Sequence, residues 1–110
     1  MFKSSLTLVS ASVMLAFASL APAHAAVDAD AAQALFKKNG CTKCHAPDKT
    51  KAGPSLKAIA ADLKGKADAQ DKVVKQITTG PKMKEGGEHA VIGTKDPKEL
   101  KNLADWILAQ

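Results

Sequence analysis

Two cysteines set two residues apart and followed at once by a histidine, Cys41-Thr42-Lys43-Cys44-His45, carry the plainest chemistry in this chain. Thiols at that spacing can add across the two vinyl groups of one porphyrin and form thioethers. The adjacent histidine is then held beneath the ring, where its imidazole can bind iron, and the pattern is that of c-type haem attachment. Other readings compete. A redox-active Cys-x-x-Cys belongs beside a strand in a βαβ setting, and no segment here alternates like a strand. Zinc needs four ligands, which two cysteines with His45 and His89 would complete. A Cys41–Cys44 disulfide would close too small a loop to staple much.

The start of the chain reads as an export signal. Lys3 gives a positive start, Leu6 to Leu20 is an apolar run broken only by Ser and Thr, and Ala23-His24-Ala25 is a small-x-small cleavage pattern. Residues 1–25 are therefore expected to be a signal peptide cleaved after Ala25, residues 26–110 the domain, and the periplasm its location. The run is short for a membrane span of roughly 20 apolar residues, so no stable membrane insertion is expected. Residues 26–110 keep Met83, His45, His89 and both cysteines, but only Phe36 and Trp106 as large aromatics. So small a chain needs a staple, and a buried porphyrin would provide an apolar centre. All 16 basic residues are lysine against 11 acidic ones. Without arginine, and with few aromatics, nucleic acid is an unpromising partner.

The elements that must position these groups read as helices, giving an all-α fold. The first helix should start at Asp28 or Asp30, with Ala31–Leu35 and Ala32–Phe36 as i,i+4 pairs, and stop at Gly40. A loop over 46–54 precedes a short helix over 55–63 with Leu56, Ile59, Ala60 and Leu63 on one face, closed by Gly65. Asp68 or Asp71 caps a third helix bearing Val73, Val74 and Ile77, ending at Gly80-Pro81. A Gly- and Lys-rich loop spans 81–95. The last helix has Asp96 as N-cap, Pro97 in the first helical position and Glu99 placed for a capping box. Leu100, Leu103, Ala104, Ile107 and Leu108 form its stripe.

Leu35-Phe36 before the motif, Cys41-x-x-Cys44-His45, Gly53-Pro54 after it and Leu103-Ala104-x-Trp106 resemble the small bacterial class I cytochromes c, over nearly all of residues 26–110. The resemblance implies about four helices around one covalently bound haem c, with the first and last helices crossing near Phe36 and Trp106. It implies thioethers at Cys41 and Cys44, His45 as proximal iron ligand, and the Pro54 carbonyl accepting from His45 Nδ1–H. It implies Met83 as sixth ligand. The chain departs from the family's Met-Pro-Pro sequence, having Lys82-Met83-Lys84. Met83 stands 23 residues before Trp106 and His89 stands 17 before it, nearer the family's spacing, so His89 is the alternative. With Met83 as ligand, residues 85–88 would be an insertion.

The expected function is single-electron carriage by iron cycling between Fe(II) and Fe(III), not enzymatic catalysis. The partners would be redox proteins of a respiratory chain with acidic docking surfaces, met by Lys43, Lys82 and Lys84. A monomer is the default. An open sixth position would instead suggest a haem sensor or a small-ligand-binding protein. A third reading, a thiol–disulfide oxidoreductase, requires free cysteines and no haem.

Overall fold

The computed structural model describes residues 26–110; the expected signal peptide and its cleavage site lie outside the described residues. The described residues form four α-helices: α1 (Ala29–Lys38), α2 (Leu56–Leu63), α3 (Ala69–Thr79) and α4 (Pro97–Leu108). A single 3-10 turn at Cys41–Lys43 follows α1. Among the described residues, extended pairing is confined to two isolated bridges, His45 with Thr50 and Lys82 with Glu88. No helix among them is long and apolar enough to cross a membrane.

The helix starts follow from their caps. Asp28, not Asp30, begins α1, its carboxylate accepting from the Ala31 N–H at 3.0 Å. Ser55 caps α2 by accepting from Ala58 N–H. Asp68, not Asp71, occupies the cap position of α3, without a side-chain bond to the backbone. The start of α4 corrects the expected capping box. Asp96 accepts from Lys98 N–H at 2.9 Å, while its own N–H donates to the Thr94 hydroxyl. That hydroxyl in turn donates to Glu99. Glu99 thus supports the cap through Thr94 rather than directly.

α4 is the hub, in contact with α1, α2 and α3. Leu100, Leu103, Ala104 and Ile107 are buried on it, with Leu103 1% exposed and Ala104 wholly buried. They join Ala32 and Phe36 of α1, Leu56 of α2, Val73 of α3 and Ile92 of the 81–95 loop in one core. Of the two expected pairs on α1, Ala32–Phe36 faces inward; Ala31 is exposed. Wholly buried Ala32 and Ala104 suit the close approach of α1 and α4. Phe36 and Trp106 meet edge to face, with ring centres 5.5 Å apart at 63°, in the range where aromatic pairs attract beyond their buried area.

Two polar clamps orient α4. Asn102 accepts from the Asp28 N–H at 2.8 Å and donates to the Asp28 carbonyl at 2.9 Å, tying the start of α1 to a residue 74 positions away. Gln70 donates to the Asp105 carboxylate at 2.7 Å, tying α3 to the same helix. The one ion pair among the described residues, Lys72–Asp68 at 3.6 Å, is exposed and within a helix, so it adds little. Packing against α4 therefore carries the fold. Leu103→Ala should lower holoprotein stability by about 2–5 kcal/mol, a large part of a small domain's total, as read by denaturant unfolding.

Candidate functional site

The chain leaves α1 through Asn39 and Gly40. Asn39 N–H donates to Leu35 O at 3.1 Å, and Gly40 takes a left-handed conformation with φ +70°, a turn that glycine makes without Cβ strain. Lys43 N–H then bonds Gly40 O, Cys44 N–H bonds Cys41 O at 3.2 Å and His45 N–H bonds Cys41 O at 3.0 Å. The motif is thus wound into one helical turn. In a 3-10 turn, side chains at i and i+3 eclipse, which brings Cys41 and Cys44 to one side. A bond from Lys51 Nζ to Thr42 O at 2.7 Å holds the turn from outside.

Both thiols are free. Burial pushes the Cys41 thiol above its usual range, and the neighbouring Cys44 pushes it the same way against a backbone hydrogen bond that lowers it. A redox-active cysteine needs the opposite, a stabilised thiolate. Among the described residues, no three His, Cys, Asp or Glu side chains gather as a metal cluster. The zinc arrangement of two cysteines and two histidines is therefore not assembled.

His45 is held by the segment that follows it. Its Nδ1–H donates to the Pro54 carbonyl at 2.7 Å. A carbonyl can only accept, so the proton sits on Nδ1 and the Nε2 lone pair is left for a metal. Gly53 makes this possible: a Cβ there would stand 2.6 Å from His45 Cε1 and 3.0 Å from His45 Nδ1. Gly53 N–H also donates to Cys44 O at 2.8 Å, and Leu56 N–H to Ala46 O at 2.9 Å. The 46–54 loop is thereby closed against the motif and feeds α2. The donor set suits a c-type haem: two thiols on one face of a turn, beside an imidazole of fixed tautomer.

The 81–95 loop stands opposite. Its first part is a tight hairpin, with Met83 N–H donating to Gly87 O at 2.9 Å and Gly86 N–H to Met83 O at 3.1 Å. Residues 85–88, expected as an insertion, form the tip and return of that hairpin. Met83 is 41% exposed. His89 is half-buried, and its ring centre lies 6.1 Å from that of His45, the planes tilted by 41°. Lys43, Lys82 and Lys84 are all exposed. A groove of about 500 Å³ lined by Lys57, Ala61, Leu63, Gly65, Ala69 and Leu108 contains none of these groups.

Two contributors escaped the sequence reading. Gly53 entered only as part of the Gly53-Pro54 pair, whereas its lack of a side chain is what lets the imidazole approach. Asn39 carried no signal in the sequence. Its side chain donates to Leu35 O and accepts from Gly93 N–H at 2.9 Å, linking the turn to the loop before α4. No short-range pattern marks such a bond across 54 residues.

Comparison with known proteins agrees with this geometry. The family model described as cytochrome c matches residues 29–110. The chain is 33% identical to cytochrome c-551 of Pseudomonas aeruginosa over 78 residues, spanning 71% of this chain and 75% of the relative. It is 36% identical to cytochrome c-552 of Nitrosomonas europaea over 101 residues, spanning 84% and 87%. Among solved structures, the class 1 cytochrome MtoD of Sideroxydans lithotrophicus superposes with a TM-score of 0.69 at 47% identity, over 76% of this chain and 97% of that one. Wild-type Nitrosomonas europaea cytochrome c552 gives 0.59 at 35% identity, over 69% and 95%. A helical fold of this order, with a Cys-x-x-Cys-His turn beside a carbonyl-bound imidazole, thus belongs to the cytochrome c family, in its small class I form that binds one haem c.

Proposed function

We propose that this protein is a soluble periplasmic electron carrier, exported by residues 1–25 and passing single electrons between redox proteins of a respiratory chain. The observation that carries the reading is the Cys41–His45 turn, with both thiols on one side and His45 Nε2 left free by the bond to Pro54. In this reading Cys41 and Cys44 hold the haem by thioethers and His45 is the proximal ligand. The 81–95 loop, where Met83 and His89 stand, supplies the sixth ligand. With a donor available there, the reading as an open-site sensor is not favoured. The bound haem supplies a one-electron Fe(II)/Fe(III) couple.

The protein's own part would be to hold the His45 imidazole in place. The Pro54 bond fixes its tautomer and ring orientation, as outer-shell partners of ligand histidines do, and Gly53 leaves it room. The exposed lysines suit a docking role. Lys3 is the only ionised residue in the first 25, so 15 lysines face 11 acids and the exported domain carries +4. Lys43 lies in the haem-attachment turn, and Lys82 and Lys84 lie in the loop opposite, where a positive rim would steer an acidic partner. The exported chain would act as a monomer.

Three outcomes follow. Protein matured in a host with haem-attachment machinery should keep its haem on a denaturing gel, whereas Cys41→Ser with Cys44→Ser should lose all of it; covalent haem in that double variant would sink the assignment. Gly53→Ala should destabilise the holoprotein by about 1–3 kcal/mol through overpacking and raise the high-spin fraction of the ferric spectrum as His45 is displaced. Electron-transfer rates with an acidic partner should fall several-fold from low salt to about 0.1 M, where the Debye length is about 10 Å. Charge reversal at Lys43, Lys82 and Lys84 should remove most of that salt dependence in stopped-flow measurements.

A further inference from the structure

We infer that His89, rather than Met83, is the sixth haem ligand, so that the iron is held between two imidazoles; the approach of the His45 and His89 ring centres to 6.1 Å is the observation behind it. The inference rests on the reading of Cys41, Cys44 and His45 as the haem attachment site.

The separation is the one that two imidazoles sharing a single metal atom would have. A metal–imidazole bond is about 2 Å, with each ring centre roughly 1 Å beyond its nitrogen, so two imidazoles trans on one ion have centres about 6 Å apart. Rings in stacking contact stand closer and more nearly parallel. Two imidazole planes that share only the metal axis can take any mutual angle, the observed 41° included.

The second ring is prepared as the first is. His89 Nδ1–H donates to the Ala90 carbonyl at 2.8 Å, matching the bond from His45 Nδ1–H to Pro54 O. In both rings the proton is thereby placed on Nδ1 and the Nε2 lone pair is available. The backbone of His89 is also fixed. Its N–H donates to Pro81 O at 2.9 Å, and its carbonyl lies where a Cβ on Gly80 would be only 2.6 Å away. Gly80 is buried with φ +58°, so it both ends α3 and lets residue 89 close on that end. Three residues later, Ile92 is buried and its N–H donates to Ile77 O at 2.8 Å. The 89–92 segment is clamped to α3 at both ends.

Met83 has no comparable placement. It sits within the 83–87 hairpin, whose Gly86 and Gly87 have positive φ. Its terminal methyl lies beside Gly87, 3.9 Å from where a Cβ there would be. The chain spacing agrees, His89 standing 17 residues before Trp106 and Met83 standing 23 before it. A second imidazole in place of a thioether lowers the reduction potential, which would place this carrier among lower-potential partners than a His–Met haem serves.

The test is optical and paramagnetic spectroscopy of the natively matured holoprotein. The ferric form should be low-spin, with the long-wavelength sulfur-to-iron charge-transfer band absent. Met83→Leu should leave the spectrum and the potential unchanged. His89→Ala should turn the ferric haem high-spin and let the ferrous form bind carbon monoxide. Because that variant can fold poorly, His89→Met is the second arm, and it should gain the sulfur-to-iron band and a higher potential. A wild-type charge-transfer band that Met83→Leu abolishes would overturn the inference, as would a wild-type high-spin ferric haem. Absence of covalent haem from the wild-type protein would overturn the attachment reading itself, an outcome distinct from either ligand result.

Discussion

α4 meets α1 through a double amide clamp, Asn102 on Asp28, and through the edge-to-face contact of Phe36 with Trp106. The position of the haem motif depends on this contact. The Cys41–His45 turn leaves the end of α1 after only two residues, so the orientation of α1 fixes where the thiols and His45 lie. The same helix α4 holds α3 through Gln70 and Asp105, and the end of α3 receives the segment carrying His89. Both imidazoles are therefore referenced to one helix, although neither belongs to it.

The buried set is small. Among the described residues, ten hydrophobic ones are buried, and only Leu56 and Leu103 among the larger of these are almost fully so. Leu35, Ile59, Leu63, Val74, Ile77 and Trp106 are packed against that core yet only partly covered. Small domains bury too little apolar surface to be stable with much margin, and a covalently attached porphyrin adds apolar contact area of the kind side chains supply. A bound haem would add to stability for this reason, and the site groups would double as structural ones. Gly53, whose missing side chain admits the imidazole, also directs the chain toward α2.

Helices α1, α2 and α3 were legible because their signals are local. A capping carboxylate or hydroxyl, apolar residues at helical spacing and a terminating glycine act within a few residues of each other. Ambiguity arose where two such signals competed, as with Asp28 and Asp30, and the clamp by Asn102 coincides with the choice of Asp28. The capping box failed as a detail because the Thr94 hydroxyl lies between the two partners, a side-chain rotamer that no spacing rule contains.

The sequence by itself determined that this is a small helical domain with a haem-attachment pentapeptide, because thioether chemistry needs only two thiols at a set spacing and an adjacent imidazole. The pairing of Pro54 with His45 came from the family resemblance, and the structure places the two within hydrogen-bond distance. The same family resemblance implied Met83 as the sixth ligand, with His89 as the alternative. Both lie in the same loop, so distance along the chain says little about which side chain faces His45. The approach of the His89 ring to His45 is set by contacts between distant segments: His89 against Gly80, Ile92 against Ile77, and Gly93 against Asn39. Orientation across a loop is a property of the packed helices it spans, and it exists only once they have assembled.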